Sequence, residues 1–164
     1  MPDWMSHILI GLILAEVFCV RRKSLVVLGS LIPDFLSKFH LPSFYFGITE
    51  WLSFSSFHTP AMAFLTIVLL AGLFNYNQTK AVGLMTLGAM SHILADATLK
   101  HFNSGQYLFF PFSFKVYALN WLWPDETIFV LPFLALVYSL VKLAKRILSK
   151  DKAEVTSSGR GTGI

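Results

Sequence analysis

TKAVGLMTLGAMSHILADATL, residues 79–99, is a long apolar run in which only Lys80, His92 and Asp96 can carry charge. It contains no proline, and its apolar residues are not confined to every second position, so it reads as a helix rather than a strand. On a helix, His92 and Asp96 lie one turn apart and project from the same face. A carboxylate or an imidazole in an apolar segment is costly, so it normally has a partner or a job. At this spacing the pair can grip one metal ion.

The same kind of isolation recurs elsewhere. His7, Asp34 and His58 also stand in apolar surroundings. Each has an ordinary reading when taken alone. Asp34 follows Pro33 and could be a turn residue, His58 could merely precede a helix cap, and Asp96 could pair with Lys100 on a helix surface. The metal reading requires all five to meet.

The chain has 164 residues, enough for one domain, with 55% hydrophobic and 13% charged residues and a mean hydropathy of +0.63. Soluble domains carry about 25% charged residues. The deficit makes a membrane protein the first reading. Residues 51–79 contain no Asp, Glu, Lys or Arg. The net charge of +4 does not point to nucleic acid, because the basic residues flank apolar segments and are not spread among aromatics. The single cysteine, Cys19, excludes an intrachain disulfide and a cysteine zinc knot and reads as a small apolar filler in a helix. The N-terminus lacks the basic region of a cleavable signal and carries Asp3 there instead.

The expected fold is all-α, a membrane-embedded bundle of about five hydrophobic helices over residues 1–150. A polar, disordered tail is expected over residues 151–164. The helices are predicted at residues 5–20, 24–35, 60–76, 79–99 and 124–148, the last containing Pro132. Thr59-Pro60 is a strong start signal, a capping residue followed by proline at the first helical position. Two intervening stretches, 36–57 and 102–123, are rich in Phe, Tyr and Trp and are expected at the membrane interface. Several helices are short of the roughly 20 residues a span requires, so tilt or half-burial is expected for some.

The positive-inside rule orients such a bundle. Arg21, Arg22, Lys23, Lys80, Lys142, Lys145, Arg146, Lys150, Lys152 and Arg160, ten of the thirteen basic residues, fall on one side, and Lys38, Lys100 and Lys115 on the other. With the richer side cytoplasmic, His7, Asp34, His58, His92 and Asp96 all fall at the extracytoplasmic end. The face shared by His7, Gly11 and Ala15 and that shared by Gly88, His92 and Asp96 suggest that the first and fourth helices touch near the site.

Three imidazoles and two carboxylates form a nitrogen and oxygen donor set without thiolate. Zn²⁺ suits it foremost, with Mn²⁺, Fe or Ni²⁺ as alternatives. Asp34, His58, His92 and Asp96 are the expected main site; His7 completes it or, through a bridging Asp96, helps to hold a second ion. Two ions would clamp a phosphoester. His40 and His101 are read as interfacial or supporting residues, Glu50 as a solvated loop acid, and Asp125 and Glu126 as acids at a helix start.

Ser6-His7 with Gly11, Pro33-Asp34, His58-Thr59, Gly88 with His92 and Asp96, and Phe110-Pro111-Phe112-Ser113 together resemble the membrane-bound metal-dependent hydrolase family of bacteria and archaea. The order Asp, His, His-x-x-x-Asp is also distantly similar to zinc-dependent phospholipase C, although no second His-x-x-x-Glu group follows Asp96. The resemblance implies a small inner-membrane protein with a metal site at Asp34, His58, His92 and Asp96, and His7 with Asp96 as part of another. The expected activity is hydrolysis of a phosphoester or phospholipid by a metal-activated water, with Asp34 or Asp96 as the catalytic residue that orients it. The competing expectation is a non-catalytic, metal-stabilised membrane scaffold or ion-binding protein. The expected partners are the bilayer and a lipid or phosphoester substrate, with no nucleic acid; the sequence sets no oligomeric state.

Overall fold

The computed structural model describes residues 4–38, 58–100 and 106–158. Among these it has five α-helices and no strand: α1 (Trp4–Val17), α2 (Lys23–Lys38), α3 (Pro60–Ala71), α4 (Gln78–Ala97) and α5 (Thr127–Ser158). A 3₁₀ turn at Pro124–Glu126 leads into α5, and Glu126 Oε2 accepts from the Trp123 N–H at 2.9 Å, so this acid caps the entry. The fold is all-α, as expected. His40, Glu50 and His101 lie outside the described residues.

Local chemistry explains most helix ends. Thr59 caps α3 with its side chain accepting from the Met62 N–H, and Pro60 occupies the first helical position, as its sequence signal requires. Asn77 does the same for α4 through the Lys80 N–H at 3.0 Å. α3 ends at Ala71 rather than near Tyr76, because Leu73 and Phe74 donate to Leu70 and Ala71 and tighten the chain into 3₁₀-type turns. α1 ends in a Schellman motif, with Val20 N–H donating to Ala15 and Cys19 N–H to Glu16. Cys19 sits at the left-handed position of that motif with φ 52° and is exposed, so it is not the buried filler expected.

Two expected helix ends lie elsewhere. α2 continues one turn past Asp34 to Lys38 although Pro33 lies within it. α5 runs beyond Leu148 to Ser158, so the expected tail is helical for its first part, with Lys152, Ala153 and Glu154 as good helix formers within it; residues 159–164 are outside the description.

The core joins α2, α3 and α4 through Leu25, Ile32, Ala63, Ile67, Ala71, Ala81, Met85, Ala89 and Ile93. α2 and α4 pack backbone against backbone at two glycines. A Cβ on Gly29 would stand 2.0 Å from the Met85 carbonyl oxygen, and one on Gly88 2.0 Å from that of Val26. α1 and α4 do touch near the site, as expected, with the His7 ring stacked on His92, but the small residues serve the approach of α2 instead. Gly88 admits α2 to α4, whereas Gly11 faces Ser30 of α2.

Among the described residues, α5 packs chiefly on α1 and leaves most of its apolar side chains exposed. Its segment Thr127–Lys150 contains an 18-residue window of mean hydropathy 2.1 and is the helix, among the described residues, that is long and apolar enough to cross a membrane. Ile128, Phe129, Phe133, Leu136, Leu140 and Leu143 are all more than half exposed, a surface that water would not tolerate but lipid would. α1 and α3 are apolar but shorter.

Glu16, not singled out from the sequence, joins α5 to the rest. It is 5% exposed and pairs with Lys23 at the start of α2 and with Lys145 of α5, and Lys145 also donates to the Glu16 main-chain carbonyl at the end of α1. Its sequence signal was an acid inside an apolar helix, seven residues before Lys23. Glu16→Gln is expected to lower the thermal midpoint and expose α5 to protease, because two lysines lose their counter-charge at once. An unchanged midpoint and an unchanged digestion pattern would contradict this role.

Candidate metal centre

Three helices and the approach to a fourth deliver five side chains to one end of the bundle. α1 supplies His7, α2 Asp34, the residue before the α3 cap His58, and α4 both His92 and Asp96. Glu16, Lys23, Lys145 and the Arg22–Tyr76 contact mark the opposite end of these helices.

Asp96 is the hub. Its Oδ2 lies 2.9 Å from His58 Nε2 and 3.4 Å from His92 Nε2, and its Oδ1 lies 3.3 Å from His7 Nε2. His92 Nε2 is also 3.8 Å from Asp34 Oδ1. One donor atom from each of Asp34, His58, His92 and Asp96 falls within 4.8 Å of all the others. Donors about 2.1 Å from a tetrahedral ion stand about 3.4 Å apart, so the observed separations suit a shared ion with little rearrangement. His7 is not in this set of four, but its ring stacks on His92 at 3.7 Å between centroids. Asp96 thus turns one oxygen to His58 and His92 and the other to His7, the arrangement a bridging carboxylate needs. Asp96 does not make the surface pair with Lys100 considered above; Lys100 Nζ lies over the Trp123 ring.

Burial makes the arrangement costly without a cation. His92 is 0% exposed, His7 2%, Asp34 3% and Asp96 3%. His7 Nδ1 and Nε2, His92 Nε2 and Asp34 Oδ2 have no hydrogen-bond partner among the described residues. Native interiors rarely leave such atoms unsatisfied, and a metal is one standard explanation. His58, with 17% of its side chain exposed, is the open member. Burial disfavours its charged form, but the hydrogen bond and charge of Asp96 outweigh this and hold its pKa above the usual imidazole value.

His92 carries the clearest sign of ligand geometry. Its Nδ1 lies 2.6 Å from the main-chain carbonyl of Ser30, and a proton on that nitrogen is the one that can be donated. The Nε2 lone pair is then left facing the carboxylates. Metal-ligating histidines are oriented in this way, by a second hydrogen bond that fixes tautomer and ring together. Pro33 contributes indirectly. It has no N–H for the Gly29 carbonyl and crowds that carbonyl, which perturbs the turn presenting Ser30.

In the Phe110-Pro111-Phe112-Ser113 stretch, Phe112 is 96% exposed. Phe109, Phe114 and Trp121 are also more than half exposed, which agrees with an interfacial position for this loop. Beside the centre, a pocket of about 100 Å³ reaches His7 and Asp96 and has Ile10, Leu99, Leu122, Val130 and Leu134 among its walls.

A family model described as YdjM inner membrane protein matches residues 1–156. No curated protein matches the chain, and no solved structure does. These matches support an inner-membrane protein and give no support to the expected likeness to metal-dependent hydrolases or to phospholipase C.

Proposed function

Because the chain belongs to the YdjM inner membrane protein family, we propose that it is an inner-membrane metal-dependent hydrolase acting on the phosphoester of a lipid. The observation that carries this reading is the convergence of Asp34, His58, His92 and Asp96 within 4.8 Å, with His92 turned inward by the Ser30 carbonyl. A divalent ion held there, Zn²⁺ foremost, would polarise a phosphoryl oxygen and acidify a water.

The side chains divide the remaining work. Asp96 collects three imidazoles and fixes their spacing. Asp34 keeps a buried, unsatisfied Oδ2 that is suited to orient the attacking water and accept its proton. His58 stands at the open side, where a headgroup would enter. His7 completes the coordination or shares a second ion with Asp96. The apolar pocket between α1 and α5 suits hydrocarbon beside the scissile group, and one of its walls belongs to the helix that faces lipid. On the distribution of Lys and Arg, the centre faces the extracytoplasmic side.

A second reading, a metal-stabilised scaffold, draws on the near-complete burial of His7, Asp34, His92 and Asp96, since closed sites are structural. Hydrolysis separates the two. Zinc-loaded protein in lipid nanodiscs is expected to cleave members of a panel of phospholipids and soluble phosphodiesters, to stop on chelation and to resume on adding Zn²⁺. Stoichiometric metal with no turnover on the whole panel would favour the scaffold.

A further inference from the structure

The end of the bundle opposite the metal centre holds a different pocket. It has a volume of about 340 Å³ and lies between the α1–α2 turn and the start of α4, lined by Val20, Arg21, Arg22, Tyr76, Lys80 and Leu84. Three of these residues are cations and none is an acid. The neighbouring Lys23 and Lys145 share one acid, Glu16, whereas Arg21, Arg22 and Lys80 have no ion-pair partner among the described residues. Arg22 is also positioned, with its guanidinium 4.6 Å from the centroid of the Tyr76 ring.

The chain leading to these residues is apolar and exposed. Val17 and Phe18 precede the arginines and are 55% and 61% exposed; Leu73 and Phe74 precede Tyr76 and are 79% and 37% exposed. Cations next in the chain to exposed aliphatic and aromatic side chains match the two halves of an amphiphile. A soluble anion such as phosphate would use the cations and leave these apolar side chains bare to water. In a protein of the inner membrane, the molecule that offers both halves at this level is an anionic phospholipid.

We propose that this pocket seats the headgroup phosphate of an anionic phospholipid, with Arg21, Arg22 and Lys80 on the phosphate and the acyl chains along Val17, Phe18, Leu73 and Phe74. The site is separate from the metal centre and does not depend on its chemistry. Each cation near a lipid surface contributes enough that its removal weakens binding about fivefold.

Native mass spectrometry of the full chain in detergent tests it, with phosphatidylglycerol, phosphatidylcholine of the same acyl chains, and inorganic phosphate as three probes. Wild-type protein is expected to retain phosphatidylglycerol at least about fivefold more strongly than phosphatidylcholine and to bind phosphate more weakly than either retains lipid. Arg22→Gln and Lys80→Gln are each expected to lower the preference about fivefold, and the triple variant with Arg21→Gln to abolish it. The helical circular dichroism signal and thermal midpoint serve as the folding control. Equal retention of the two lipids, a preference unchanged in the folded triple variant, or phosphate displacing phosphatidylglycerol at low concentration would each overturn the assignment. Should the triple variant fail to fold, Arg22→Lys decides instead: it keeps the charge and is expected to keep the preference, and losing the preference while folded would count against a charge-based seat.

Discussion

Asp96→Asn is expected to purify with little or no bound metal, where the wild-type protein is expected to carry at least one divalent ion per chain. The substitution keeps the shape of the side chain and removes the charge on which His7, His58 and His92 converge. Structural zinc sites bind with roughly 10–16 kcal/mol, so losing one of four ligands is expected to weaken affinity on the order of a hundredfold to a thousandfold. The same loss should appear in stability. A chelator is expected to lower the thermal midpoint of the wild type and leave that of Asp96→Asn unchanged, since only the former has a bound ion to lose. His92→Ala should behave alike, and more severely, because it also frees the Ser30 carbonyl. Elemental analysis and paired melting curves decide the matter. Equal metal in wild type, Asp96→Asn and His92→Ala would remove the centre altogether.

Gly88→Ala is expected to be, with Gly29→Ala, among the most damaging small substitutions away from the ligands. Its Cβ would meet the Val26 carbonyl oxygen at 2.0 Å and the Ser30 N at 2.7 Å, and both are main-chain atoms with no rotamer to yield. Overpacking of side chains costs typically about 1–3 kcal/mol, and a clash with backbone belongs at or above the top of that range. The effect should extend beyond stability. Pushing α4 from α2 lengthens the 2.6 Å contact between His92 Nδ1 and the Ser30 carbonyl, four residues along α4 from Gly88, so metal should be lost even under conditions where the helices persist. Gly83→Ala is the control. It lies on the same helix with no atom within 4 Å of a built Cβ, and the gain in helix propensity should leave it neutral or slightly stabilised. Circular dichroism with metal content on the pair tests this. Comparable midpoints and metal in Gly88→Ala and Gly83→Ala would refute the close-packed crossing as the support of the site.

Much of the centre was legible before any coordinates because polar groups in apolar segments are conspicuous. The charge distribution added a direction, and alternating helices then carried His7, Asp34, His58, His92 and Asp96 to one end. Glu16 obeyed the same rule and was overlooked because it lies near a run of basic residues, where an acid looks ordinary. The helix starts at Thr59 and Asn77 were readable from local hydrogen-bonding capacity, whereas the C-terminal end of α5 was not, since the polar segment after Lys150 contains neither proline nor glycine before Gly159 to mark a stop.

Composition and the placement of isolated imidazoles and carboxylates were enough to set the class of protein, the helical architecture and the donor set. Periodicity fixes which residues share a face of one helix, and that follows from the chain alone. It does not fix which helix a face meets. The crossing of α2 on α4 at Gly29 and Gly88, and the Ser30 carbonyl that turns the His92 ring, arose only from packing. Every residue carries a main-chain carbonyl, so no residue name marks the one that will accept from a histidine 62 positions away.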